Sequence, residues 1–124
     1  MKDNKHVILY VEDDPDFRNS MRTVLEANGY IMIEASTGEE GIRKFKSEQP
    51  DLVLLDLMME EVDTGTAIVR DLKLAGCDVP IFVYSSAGDA LQMSTDYTDL
   101  GLAGVLQKPV DFNVLLSLLK SKLS

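Results

Sequence analysis

Tryptophan is absent, and cysteine and histidine occur once each, as Cys77 and His6. One thiol excludes an internal disulfide and any zinc site built on paired cysteines, and Cys77 reads as an inert loop residue. His6 precedes the first apolar run and reads as a surface residue, not a phosphoryl donor. Basic residues are scarce: 12 Lys and Arg face 21 Asp and Glu, a formal charge of −9. Such a surface disfavours direct nucleic-acid binding by this chain. No apolar run approaches the roughly 20 residues that cross a bilayer, so no membrane insertion is expected. The stretch Met1 to His6 runs into a short apolar segment closed by three acids, unlike a secretory signal, and a cytoplasmic protein is expected. What is present is ordinary for a globular chain: 45% hydrophobic and 27% charged residues over 124 positions. That length and composition predict one folded domain, residues 1–124, with no staple required.

Five short apolar runs punctuate the chain: Val7–Val11, Ile31–Ile33, Leu52–Leu55, Ile81–Tyr84 and Val105–Leu106. Their brevity and β-branched content suit strands buried on both faces. Segments of helical period lie between them. Phe17, Met21, Val24 and Leu25 share one helical face, and Thr37-Gly38-Glu39-Glu40 reads as a capping box ahead of Ile42 and Phe45. Ala67, Ile68 and Leu72 mark a third helix that stops near Gly76. Leu91, Tyr97 and Leu100 mark a fourth, built from poor helix formers. Phe112, Leu115, Leu116 and Leu119 mark a fifth, with Asp111 at its N-cap. Five β-α units in series predict a parallel sheet with helices on both faces and right-handed crossovers. Sheets of this kind bind ligands beyond the carboxyl ends of their strands.

The residues at those ends are Glu12, Asp13 and Asp14, then Asp56, then Ser85 and Ser86, then Lys108. Carboxylates gathered within a few ångströms repel one another unless a cation joins them. A hard divalent ion with oxygen ligands, Mg²⁺ above all, removes that penalty. A nearby lysine adds a fixed positive charge that seeks phosphate. Asp14, directly before Pro15, reads instead as a helix N-cap. Met58-Met59 reads as packing and backbone, not a soft-metal site.

With these motifs in order, the chain resembles the response-regulator receiver domain of two-component signalling, of the chemotaxis-regulator type. The resemblance spans Val7 to about Leu119. It rests on Val11-Glu12-Asp13-Asp14, Asp51 to Met59, Ser86-Ala87 and Lys108-Pro109, with Ser86 lying 30 and Lys108 52 residues after Asp56. It implies a flavodoxin-like, doubly wound (βα)5 domain of the α/β class, with strand order 2-1-3-4-5. It implies Asp56 as the phosphoacceptor, and Asp13 and Asp56 as direct ligands of Mg²⁺ (or Mn²⁺). Glu12 would reach the ion through water, and Met58 would reach it through its backbone carbonyl. Ser86 matches the hydroxyl that bonds the phosphoryl group, and Lys108 the lysine that pairs with the acceptor and its phosphate. The implied partners are a histidine kinase or phosphotransfer protein and a downstream output domain or partner protein. The implied role is a signalling switch, not an enzyme with a separate substrate.

The pattern departs from the family at three places. Glu60 stands where a proline is common, and Asp63-Thr64-Gly65 replaces an Asp-Gly turn. Val105 stands where the family often carries an aromatic that swings inward, and a valine cannot perform that motion. Gly88 to Gly104 holds Asp89, Asp96 and Asp99 but no Lys or Arg, so dimerisation through ion pairs on the fourth helix is not expected. Val105 and the altered 60–65 sequence keep an alternative open: a pseudo-receiver or scaffold that binds partners without phosphorylation. A flavin mononucleotide binder would need a Ser/Thr/Gly-rich loop where Glu12-Asp13-Asp14 stands. A haloacid-dehalogenase-like phosphatase would place its Asp-x-Asp pair on the first strand, whereas Asp56 is followed by Leu57-Met58.

Overall fold

The computed structural model describes residues 4–56, 70–76, 78–85, 104–107 and 111–123. Within them five strands, β1 (Val7–Val11), β2 (Ile31–Ala35), β3 (Leu52–Asp56), β4 (Ile81–Ser85) and β5 (Gly104–Gln107), form one sheet. Its order is β2-β1-β3-β4-β5, and every pairing is parallel. The expected order and the α/β class are therefore present. Four of the strands run a little past their apolar cores, so Asp56 is the last residue of β3 and not the first residue after it.

Among the described residues, helices α1 (Pro15–Ala27), α2 (Gly38–Glu48) and α3 (Phe112–Leu123) accompany the sheet. Each begins on the cap its sequence supplies. The Asp14 carboxylate accepts from the Asp16 N–H at 2.8 Å with Pro15 behind it. The Thr37 hydroxyl accepts from the Glu40 N–H at 3.1 Å. Asp111 accepts from the Asn113 N–H at 2.9 Å. The capping box before α2 is shifted by one residue, because Glu40 reaches back to the Ser36 N–H at 2.7 Å and not to that of Thr37. That bond holds the Glu40 carboxyl below its ordinary value. A helical segment at 70–74 carries buried Leu72 and ends at Gly76, whose φ of +90° only glycine adopts freely. The fourth predicted helix lies outside the described residues.

Strand alternation divides the core in two. Leu9, Val11, Val53, Leu55, Ile81 and Val83 pack with Leu72 and, from α2, Ile42 and Phe45. Ile8, Tyr10, Leu52, Leu54, Phe82 and Tyr84 pack with Met21 and Leu25 of α1 and Leu115 and Leu119 of α3. The apolar face of α1 is narrower than its sequence suggests: Met21 and Leu25 are buried, but Phe17 is 43% exposed in the first turn. At the sheet edge, Arg22 donates to the Met32 carbonyl (3.2 Å) and Lys44 to the Glu34 carbonyl (2.7 Å) of β2. No helix among the described residues is long and apolar enough to cross a membrane.

The approach of α2 to β1 is tight at one point. A Cβ on Gly41 would lie 2.8 Å from a methyl of Val11, a β-branched side chain with little freedom to turn away. Overpacking of this kind costs about 1–3 kcal/mol, against about 1 kcal/mol gained by replacing glycine with alanine in a helix. Gly41→Ala is therefore expected to lower stability in urea unfolding. A variant more stable than wild type would show that the contact yields at no cost.

Candidate metal centre

The same alternation fixes where the acids go. Glu12 follows Ile8 and Tyr10 on β1, and Asp56 follows Leu52 and Leu54 on β3, so both continue the series that faces α1 and α3. Each is only 1% exposed, a rare state for a carboxylate. With the more open Asp13, one carboxylate oxygen from each residue lies within 4.8 Å of the other two. Three hard oxygen donors gathered so closely suit a cation such as Mg²⁺ or Mn²⁺, and they fit the ion that the sequence implied.

Glu12 is held from several sides. Its N–H donates to the Ala35 carbonyl at 2.9 Å, which extends the β1–β2 ladder by one residue. Its own carbonyl accepts from the Arg18 guanidinium at 2.7 Å, and Arg18 also bonds Glu34 at 3.1 Å. Of its carboxylate oxygens, Oε1 accepts from the Asp14 N–H at 3.1 Å and Oε2 from the Tyr10 hydroxyl at 3.3 Å. Asp14 spends its side chain on the helix cap, as expected, which leaves Asp13 as the acid of the pair turned to the cluster.

Tyr84 sits beside Asp56 in the β3–β4 register. Its ring meets that of Tyr10 edge to face, centroids 6.1 Å apart. Burial raises the pKa of both phenols. The charge of Glu12 is the next largest cause at Tyr10, and that of Asp56 at Tyr84. Their neutral forms thus favour folding: this contribution is whole below about pH 10 and is lost as pH climbs towards the raised folded values. Neither tyrosine stood out in the sequence, although counting back two residues from Glu12 and from Ser86 reaches both.

Of the expected site residues, Glu12, Asp13 and Asp56 come together, while Met58, Ser86 and Lys108 lie outside the described residues. Ser86 directly follows β4, and Lys108 directly follows β5. A cavity of about 560 Å³ lined by Phe45, Lys46, Pro50, Asp51 and Asp78 opens at the opposite, amino end of the sheet, away from these acids.

Residues 8–120 match the response regulator receiver domain family. The chain is 36% identical over 116 residues to the response regulator MprA of Mycolicibacterium vanbaalenii, covering 94% of this chain and 49% of that protein. It is 34% identical over 107 residues to the "Probable transcriptional regulator ycf27" of Guillardia theta, covering 86% and 41%. The chain thus spans about half the length, or less, of these curated relatives. Among solved structures, the CheY-like response regulator receiver domain protein of Methanospirillum hungatei superposes with a TM-score of 0.84 at 28% identity, covering 96% of this chain and 94% of that one.

Like charges about 4–5 Å apart repel by about 1 kcal/mol even at the dielectric constant of water. Removing one charge while keeping its shape should relieve that repulsion. Asp13→Asn is expected to melt above wild type in chelator. A lower melt would mean that Asp13 supports the fold in some way other than as one of three crowded acids.

Proposed function

The chain belongs to the response regulator receiver domain family, and we propose that it is the phosphoacceptor of a two-component phosphorelay. In this reading a histidine kinase or phosphotransfer protein supplies a phosphoryl group to Asp56. The observation that carries it is the convergence of Glu12, Asp13 and Asp56 at the carboxyl ends of adjacent strands. One Asp56 oxygen attacks phosphorus in line, and the bond to the donor atom breaks with its electron pair leaving on the donor. Asp13 and Asp56 would bind Mg²⁺ or Mn²⁺ directly, Glu12 through water, and Met58 through its backbone carbonyl. Bound there, the ion would supply positive charge that offsets the carboxylates and the incoming phosphoryl group. Lys108 pairs first with the Asp56 carboxylate and then with its phosphate, while the Ser86 hydroxyl donates to a phosphoryl oxygen.

The product adds about −1.5 to −2 charges and three acceptor oxygens at this end of the sheet. That change biases the segment following β4, and the signal passes to an output domain or partner protein. The chain acts as a switch that assists only its own phosphorylation and dephosphorylation. A pseudo-receiver role draws support from Val105 and from the 60–65 sequence. The intact set of Glu12, Asp13, Asp56, Ser86 and Lys108 weighs against it.

Intact-mass measurement with a small phosphodonor and Mg²⁺ tests the acceptor. Wild type is expected to gain one phosphoryl group and Asp56→Asn none; equal modification of both would overturn the assignment.

The cation is tested separately by thermal melts. Mg²⁺ at a hundredfold excess over its dissociation constant should add about 2.7 kcal/mol of stability. Asp13→Asn should lose most of that response. A wild-type melt indifferent to Mg²⁺ would count against the metal site.

A further inference from the structure

Tyr10 and Tyr84 share a sheet face with Glu12 and Asp56, and the phosphoacceptor mechanism gives neither of them a task. Both are buried, and their rings touch edge to face at an interplanar angle of 73°. They differ in one respect. The Tyr10 hydroxyl donates to Glu12 Oε2 at 3.3 Å, whereas the Tyr84 hydroxyl has no hydrogen-bond partner among the described residues.

A glutamate side chain has three torsions and, beside two other acids, an electrostatic reason to turn away from them. The Asp14 N–H holds one Glu12 oxygen. The Tyr10 phenol holds the other, and two donors on two oxygens fix the plane of the carboxylate. The Tyr84 ring closes against Tyr10 and limits its swing. We propose that Tyr10 is a positioning residue: its hydroxyl pins the Glu12 carboxylate in the orientation that a divalent cation and its waters require, and Tyr84 serves as the wall behind it. The inference rests on the cation reading of the acidic cluster. It assigns Tyr10 no contact with the ion. Groups that orient metal-binding carboxylates are commonly worth about 10–100-fold in affinity, and a bond as long as this one belongs at the low end of that range.

Two further properties make the role measurable. The chain has four tyrosines and no tryptophan, so its near-ultraviolet absorption is chiefly that of phenols. A cation that draws charge from Glu12 changes the acceptor of the Tyr10 hydroxyl and should shift its band.

The test titrates Mg²⁺ alone into wild type, Tyr10→Phe and Tyr84→Phe, by calorimetry and by tyrosine difference spectra. Melts in chelator check that each variant is folded. Wild type is expected to bind the ion with a tyrosine difference signal. Tyr10→Phe should lose that signal and bind about tenfold more weakly. Tyr84→Phe, which removes a hydroxyl with no hydrogen-bond partner among the described residues, should retain both signal and affinity. Wild-type affinity in Tyr10→Phe would overturn the positioning role while leaving the cation reading intact. Equal losses in the two variants would also overturn it, as a general packing effect. Absence of Mg²⁺ binding by wild type would overturn both readings. Should Tyr10→Phe fail to fold, Tyr84→Phe still decides: a retained signal supports the proposal, and a lost one overturns it.

Discussion

Two carboxylates, Glu12 and Asp56, are withdrawn from water at the ends of adjacent, fully buried strands, and a third stands beside them. Burying charge is costly for a fold even where hydrogen bonds meet it. Everything around the cluster is arranged to tolerate it. Backbone and side-chain donors from Asp14, Tyr10 and Arg18 converge on Glu12, and the helix that follows starts on its own cap so that Asp13 stays available. In the proposed cation reading, crowding of like charge would also be what favours binding of the ion. A better-solvated trio would be more comfortable and would bind less.

The sheet makes this tolerable because it is stiff. β1 and β3 are buried throughout, with parallel neighbours on both sides. A backbone so enclosed cannot drift to separate the acids, and only side-chain torsions remain free. The bonds to Glu12 act on those torsions. Position is thus set in two stages, coarsely by the sheet register and finely by a few donors.

Much of the fold was legible because its signals are local. The five apolar runs foretold the strands, Asp14-Pro15, Thr37 and Asp111 foretold the helix starts, and Gly76 foretold a stop. The acids were legible too, since nothing in a buried strand accounts for Glu12, Asp13 or Asp56. What escaped the sequence depends on tertiary placement. Phe17 fits the apolar period of α1, yet it lies in the first turn, beyond the shelter of the sheet. Glu40 fits a capping box, but its carboxylate accepts from the Ser36 N–H instead. Tyr10 and Tyr84 looked like ordinary strand residues, and only the register joins them to the acids.

The outer edge of β2 has a consequence of another kind. In a parallel ladder every second carbonyl of an edge strand points away from its neighbour, and such unpaired acceptors can template another extended chain. Residues 31 and 35 spend their backbone groups on the β1 side, which leaves the carbonyls of Met32 and Glu34 outermost. Arg22 and Lys44 lie across those two atoms. The two cations serve as stoppers, occupying with side chains the positions an incoming strand would need. An acidic chain with few basic residues thus spends two of them on its own seam.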